Sequence, residues 1–219
     1  MQEKRLQLLE EHGVGKTTIT KILMRLYPIT KGKVTIDGYD LNELSIKSIR
    51  NNITYISQDS YIFKDTVRKN IVLEKNDISD KQILDVMEQI GAIPLLERLD
   101  NGLDEVVDVN RLSKGELQVI AFIRAIVHKA NIYIFDEPTS NIDLRTEKMI
   151  QRIIDKISKN STVIIIAHRL STIKNANRIA VINEGELVEL GNHDELMSIP
   201  SGQYKALYEM QFKKEEAAV

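Results

Sequence analysis

The sequence predicts an α/β fold with a mainly parallel sheet as its core and an inserted helical subdomain. Two observations support this prediction. Short apolar runs of strand length alternate with longer segments of helical periodicity, an order that is typical of parallel sheets. The runs that begin at Ile132 and Thr162 are almost continuously apolar and rich in isoleucine, as expected for parallel strands covered on both faces.

The individual elements follow from the same patterns. The predicted strands are residues 6–9, 33–36, 53–56, 132–135, 162–166 and 179–182. The predicted helices are residues 16–26, 80–90, 114–128, 143–157 and 203–211. These elements belong to one domain of 219 residues, whose core comprises residues 1–60 and 113–212.

Residues 61–112 differ from the rest because they carry helical patterns but no convincing buried strand. We interpret this stretch as the inserted helical subdomain, with loops marked by Pro94 and Gly102. Residues 213–219 form a tail of charged and small residues that we expect to fray.

Composition restricts the classes of function. The net charge is −2, from 30 basic and 32 acidic residues, so no overall basic field favours a nucleic acid partner. Cysteine is absent, which excludes disulfides and thiol catalysis. No apolar run reaches about 18 residues, and residues 1–5 lack an apolar signal core. We therefore expect a soluble, cytoplasmic domain whose connection to a membrane is made by a partner.

A glycine-containing loop stands between the first predicted strand and the first predicted helix. Residues 9–18 read LEEHGVGKTT, which is the context of a phosphate-binding P-loop. Gly13 and Gly15 let successive backbone N–H groups face an anion, and the helix start adds positive potential. Lys16 is expected to reach the β- and γ-phosphates, and the Thr17 hydroxyl to ligate Mg²⁺. The predicted nucleotide-binding residues are His12, Gly13, Val14, Gly15, Lys16, Thr17 and Thr18.

Two acidic residues end the apolar strand at 132–135. Open α/β sheets bind ligands at the carboxyl ends of their strands, which is where Asp136 and Glu137 stand. Asp136 can hold Mg²⁺, and Glu137 can orient or deprotonate an attacking water. His168 ends another apolar strand, within plausible reach of a γ-phosphate. Asp143 is placed to cap the helix that follows it.

Each of these features also has a purely structural interpretation. The glycines can cap a helix, two acids can be solvated at a strand end, and a lone histidine after a strand is more often structural than catalytic. Their joint order and spacing favour the functional interpretation.

Four segments together resemble the ATPases of the ABC family. They are YISQDSYIF at 55–63, LSKGE at 112–116, IYIFDEPTSNID at 132–143 and IIIAHRLST at 164–172. The resemblance covers residues from about 8 to 211. The sequence of the last segment is most similar to that of the ATPase domains of exporters. It implies Mg²⁺-dependent binding and hydrolysis of ATP. It also implies two partners, a transmembrane exporter domain and a second ATP-binding domain.

The resemblance implies further roles. Gln58 corresponds to a glutamine that senses Mg²⁺ and the γ-phosphate, so the implied metal-site residues are Thr17, Gln58 and Asp136. Ser113 and Gly115 belong to the signature motif, which closes over ATP held by the opposite domain. Asp143 corresponds to an aspartate at the dimer interface. The implied catalytic residues are Glu137, His168 and Gln58.

The sequence departs from the family pattern at four places. The chain starts too late to carry the family's adenine-stacking aromatic, so we expect an N-terminally truncated domain. Glu10 replaces the first P-loop glycine, which predicts weaker ATP binding. The signature reads LSKGE where the family usually has LSGGQ, which favours an asymmetric dimer. Residues 108–111 are shorter than the equivalent exporter segment.

Two other functions remain as alternatives. A truncated module could bind nucleotide weakly without hydrolysing it, because of Glu10 and the missing aromatic. A DNA-repair ATPase of the same superfamily is disfavoured, since no sustained heptads separate Gln58 from Leu112.

Overall fold

The computed structural model describes residues 5–10, 16–75, 77–140, 142–166 and 174–216. For residues 10, 16, 17, 211 and 213–216 it describes the backbone only. His12, Gly13, Val14, Gly15 and His168, which the sequence assigns to the site, lie outside the described residues.

The described part of the chain alternates between strands and helices as predicted. The strands are β1 (Arg5–Glu10), β2 (Thr35–Ile36), β3 (Tyr39–Asp40), β4 (Ile53–Ile56), β5 (Ile132–Asp136), β6 (Thr162–Ile166), β7 (Arg178–Asn183) and β8 (Glu186–Gly191). The helices are α1 (Lys16–Leu23), α2 (Ile46–Asn52), α3 (Val67–Val72), α4 (Asp80–Ile90), α5 (Ile93–Glu97), α6 (Lys114–His128), α7 (Leu144–Ser158), α8 (His193–Met197) and α9 (Gln203–Glu216). A 3₁₀ turn covers Gly102–Asp104.

Six strands form one sheet in the order β4-β5-β6-β1-β7-β8. The pairs β5–β6, β6–β1 and β1–β7 are parallel, and β8 pairs with β7 in the antiparallel sense. The predicted mainly parallel α/β sheet is therefore confirmed. A separate two-stranded sheet contains β2 and β3.

The chain divides into two compact units. The first comprises Met1–Tyr55, Asn131–Glu137 and Thr162–Val219, and it contains most of the large sheet. Successive residues of β1 serve opposite faces of this sheet. Leu8 packs with Ile166 and Ala180, whereas Leu9 packs with Ile179.

The second unit comprises Ile56–Ala130 and Pro138–Ser161 and contains α3 to α7. Helix α7 buries Ile150, Ile153, Ile154 and Ile157, the spacing of one apolar helix face. This unit contains the residues 61–112 that the sequence assigned to a helical subdomain. The same unit also includes helices α6 and α7, which lie outside residues 61–112. The boundaries of the inserted subdomain itself stay a prediction.

Most predicted elements are confirmed, and three require correction. The last helix, α9, continues to Glu216, past the predicted end at residue 211, so residues 213–216 of the tail that we expected to fray are helical. The predicted strand at 33–36 was wrong in extent, because only Thr35 and Ile36 pair as a strand and Thr35 is exposed. Helix α1 ends at Leu23 rather than at residue 26, and Arg25 then adopts a positive φ of 52°. Among the described helices, none is long and apolar enough to cross a bilayer.

Candidate active site

Three parallel strands place the candidate site at one edge of the sheet. Ile166, the last residue of β6, lies in register with Leu8 of β1 and with Asp136 of β5. β5 and β6 therefore end level with each other, and β1 continues two residues further to Glu10. Residues 11–15 continue from β1 and lead into α1 at Lys16, and residues 167–173 continue from β6. The sheet order thus brings the start of the predicted P-loop segment and both predicted acids to the same edge.

Asp136 ends β5 with a partly exposed side chain. The Tyr55 hydroxyl donates a hydrogen bond of 2.9 Å to its Oδ2 atom. Among the described residues, no other group forms a hydrogen bond with the Asp136 carboxylate. Burial raises the pKa of Tyr55 well above its usual range, and the Asp136 carboxylate acts in the same direction. The phenol therefore remains a protonated donor.

Glu137 follows with an unusual backbone conformation. Its φ is 48°, in the left-handed region that side chains other than glycine seldom adopt. Its N–H donates to the Ile166 carbonyl at 2.7 Å, which anchors this turn to β6. Strain of this kind costs on the order of 1 kcal/mol or more and is concentrated at functional sites. The conformation is consistent with the predicted catalytic role of Glu137.

The residues at this edge fit Mg²⁺. The ion prefers oxygen ligands, retains several waters and is usually bound by one or two carboxylates together with substrate phosphates. Asp136 presents such a carboxylate, and Oδ1 has no hydrogen bond from another described residue. No cluster of three or more His, Cys, Asp or Glu able to hold a metal occurs in the described ranges. The Asp136 carboxylate therefore suits a Mg²⁺ site that phosphate oxygens and water complete.

Gln58 lies in the second unit and is exposed. It lines a cleft of about 180 Å³ together with Lys114, Gln118 and Ser140. The buried Gln118 side chain donates from Nε2 to the Pro138 carbonyl at 3.0 Å. The chain immediately after β5 and its turn is thereby fixed to α6. The metal and catalytic roles of Gln58 stay predictions.

Ser113 is the N-cap of α6. Its Oγ accepts from the Glu116 N–H at 3.2 Å, and the Glu116 carboxylate accepts from the Ser113 N–H at 2.8 Å. This reciprocal pair satisfies two donors at the helix start. The Ser113 hydroxyl proton is still able to bond a phosphate, so the cap is compatible with the predicted role in nucleotide binding.

The acid in the signature segment is paired. Arg98 forms an ion pair with Glu116, the residue that stands where the family usually has glutamine. Both residues line a cleft of about 240 Å³ that Ser113 and Asp143 also line. The second unit thus brings two residues of the implied dimer interface, Ser113 and Asp143, to one surface, where Arg98 balances the charge of Glu116.

Asp143 caps α7, which confirms its predicted structural role. Its Oδ1 accepts from the N–H groups of Arg145 and Thr146 at 2.9 and 3.0 Å. The Thr146 hydroxyl donates to Oδ2 at 2.6 Å. These bonds, with the Thr146 hydroxyl first, hold the pKa of Asp143 below its usual value. The capped helix keeps Thr146 in place against α6.

The structure separates the predicted site residues by unit. Asp136, Glu137 and the start of α1, including the exposed Thr18, lie in the first unit; Gln58, Ser113 and Gly115 lie in the second. Sequence reasoning missed the contacts of Tyr55, Arg98 and Thr146. Tyr55 carried one signal, since it lies three residues before Gln58 at the end of a predicted strand. No feature of the sequence indicated the pairing of Arg98 with Glu116.

Comparison with known proteins agrees with this geometry. The family model described as ABC transporter matches residues 1–140. The chain is 41% identical over 206 residues to the probable multidrug resistance ABC transporter ATP-binding/permease protein YheH of Bacillus subtilis (strain 168), covering 93% of this chain and 30% of that protein. It is 39% identical over 212 residues to the ATP-dependent lipid A-core flippase of Escherichia coli (strain K12), covering 95% and 36%.

A solved structure of a bacterial Atm1-family ABC exporter with ATP bound matches with a TM-score of 0.88 and 33% identity. The match covers 95% of this chain and 37% of that one. The chain belongs to the ABC transporter family and is an ATP-binding domain of it. It spans about a third of the length of the curated relatives it matches. The ATP-binding domains of such transporters are ATPases.

Proposed function

We propose that this chain binds Mg-ATP and hydrolyses it as the ATPase domain of an ABC exporter. The observation that carries the proposal is that the start of the P-loop segment and the two acids lie at the same edge of the sheet. There β1 leads toward α1, and β5 delivers Asp136 and Glu137 in register with the end of β6. Open α/β sheets bind ligands at this edge. The multidrug transporter and flippase relatives support the exporter class.

The chemistry is divided among the residues of this edge. Lys16, at the first position of α1, binds the β- and γ-phosphates, aided by the positive end of the helix. Asp136 and the Thr17 hydroxyl hold Mg²⁺, which offsets charge on the phosphates. Glu137 orients the attacking water and accepts its proton. Beyond this edge, the family resemblance assigns further contacts with the γ-phosphate to His168 and Gln58.

The second unit supplies the contacts for a dimer. Ser113 and Gly115 at the start of α6 approach the ATP held by another ATP-binding domain, because a helix start binds anions through free N–H groups. The resulting movement is transmitted to a transmembrane domain. In this arrangement the ATPase works at the cytoplasmic face of a membrane through its transmembrane partner.

Calorimetric titration with Mg-ATP tests the binding half of this proposal. Wild-type protein is expected to bind, and Lys16→Ala to lose binding, since the phosphates lose a cation held at the helix start. Lys21→Ala is the matched control, because Lys21 lies on the same helix and its ammonium contacts Tyr27 at the surface. Equal affinity in wild-type and Lys16→Ala proteins contradicts the phosphate-site assignment.

A further inference from the structure

Tyr55 joins two elements of the proposed magnesium site. It lies on β4, and its hydroxyl donates at 2.9 Å to Asp136 at the end of the neighbouring β5. The Thr20 side chain acts on the pKa of the same phenol and lowers it, in the direction opposite to burial. Thr20 is buried in α1, one helical turn after Thr17. The three side chains belong to the first compact unit.

We infer that Tyr55 is a positioning residue, which orients the Asp136 carboxylate toward Mg²⁺ by holding its Oδ2 atom. The inference rests on the proposed function. The terminal torsion of an aspartate is broad, so a carboxylate at a strand end has no preferred orientation of its own. A hydrogen bond to Oδ2 selects one orientation and leaves Oδ1 for the ion or its water. Such partners of ligating carboxylates strongly affect metal affinity.

The support behind Tyr55 is rigid. Its ring packs against the cluster of Leu41, Ile49, Ile53 and Ile134, whose members are almost entirely buried. The phenol hydroxyl of this ring donates to Asp136 at the end of β5. The ring position is therefore set by the core of the first unit, and the hydroxyl transmits that position to the carboxylate. A phenylalanine fills the same space and removes this link.

The test is the magnesium dependence of ATP binding, measured by calorimetry in EDTA and at a series of Mg²⁺ concentrations. For Tyr55→Phe, the concentration that gives half of the Mg²⁺-dependent gain in ATP affinity is expected to rise about tenfold. ATP affinity in EDTA is expected to stay unchanged, because the P-loop is intact. Tyr39→Phe is the matched control, since Tyr39 is a 67% exposed tyrosine of the same unit.

Other outcomes separate the two proposals. An unchanged magnesium requirement in Tyr55→Phe overturns the positioning role while leaving ATP binding intact. Equal losses of affinity in EDTA and in Mg²⁺ also overturn it, because they indicate a general structural defect. Absence of any Mg²⁺-dependent ATP binding in the wild type overturns the proposed function and this inference together.

Discussion

Gly115 packs so closely against Thr146 that a Cβ atom on Gly115 would lie 2.9 Å from Thr146 Cγ2 and 3.1 Å from its Oγ1. Thr146 is buried and bound by Asp143, so it has little freedom to move. The glycine of the signature segment is therefore required for the packing of α6 against α7. This reason is independent of any contact with nucleotide.

Gly115→Ala is expected to lower the free energy of unfolding by about 1–3 kcal/mol, the usual cost of overpacking. Helix propensity favours alanine by up to about 1 kcal/mol, so a net loss identifies the clash. Denaturant unfolding measures the change. Adding Thr146→Ser, which keeps the hydroxyl bonded to Asp143 but removes the methyl group, is expected to restore part of the loss. A Gly115→Ala protein as stable as wild type contradicts this account.

The pair of Arg98 and Glu116 is expected to matter more for association than for stability. Arg98 is 60% exposed, so breaking the pair costs at most about 1 kcal/mol of unfolding free energy. Arg98→Ala leaves the Glu116 charge unbalanced beside Ser113, where a second domain's ATP is proposed to dock. ATP-dependent dimerisation, measured by sedimentation, is expected to weaken.

The matched control is Arg98→Ala combined with Glu116→Gln. This double variant removes both charges and is expected to regain the dimerisation that Arg98→Ala loses. If the single and double variants dimerise equally, the carboxylate does not act on the docked ATP.

His128 is expected to make stability depend on pH. Its Nε2 lies 3.0 Å from the Ile71 carbonyl, to which it donates. Burial lowers the pKa of His128, the charges of Lys75 and Arg124 act in the same direction, and the bond to Ile71 opposes them. The unfolded chain therefore binds the proton more readily than the folded chain. The contribution of neutral His128 to stability is therefore complete at pH values above its ordinary pKa of 6.5, and it is lost as the pH falls below that value.

Unfolding free energies measured between pH 7.5 and 5 check this prediction. His128→Gln is expected to show a shallower decrease than wild type over that window, because glutamine does not titrate. Parallel curves for the two proteins mean that other groups cause the acid sensitivity.

The elements that could be predicted from the sequence are those in which a periodic pattern extends over many residues and has clear ends. Helices Asp80–Ile90 and Lys114–His128 begin and end where the pattern placed them, because each begins with a side-chain cap and buries a continuous face. The short helices Ile46–Asn52 and Val67–Val72 were missed. They have capping residues, but they are too short to show a helical period that differs from a loop.

The candidate site was predictable in its acids and not in their supports. Asp136 and Glu137 end an apolar strand, a pattern that is visible in the sequence. Tyr55 lies 81 residues before Asp136, and their contact depends on β4 lying next to β5 in the sheet. No local pattern specifies that order. Arg98 likewise meets Glu116 only through the packing of the helical unit.

Hydrolysis of ATP by Glu137→Gln tests the central claim most directly. The substitution keeps the size of the side chain and removes the base, so we predict that turnover falls by about 10²-fold or more while Mg-ATP still binds. Glu184→Gln is the matched control, because Glu184 is an exposed glutamate with a φ of 50° at the turn between β7 and β8. It is expected to retain full turnover. Wild-type rates of phosphate release from Glu137→Gln would contradict the account.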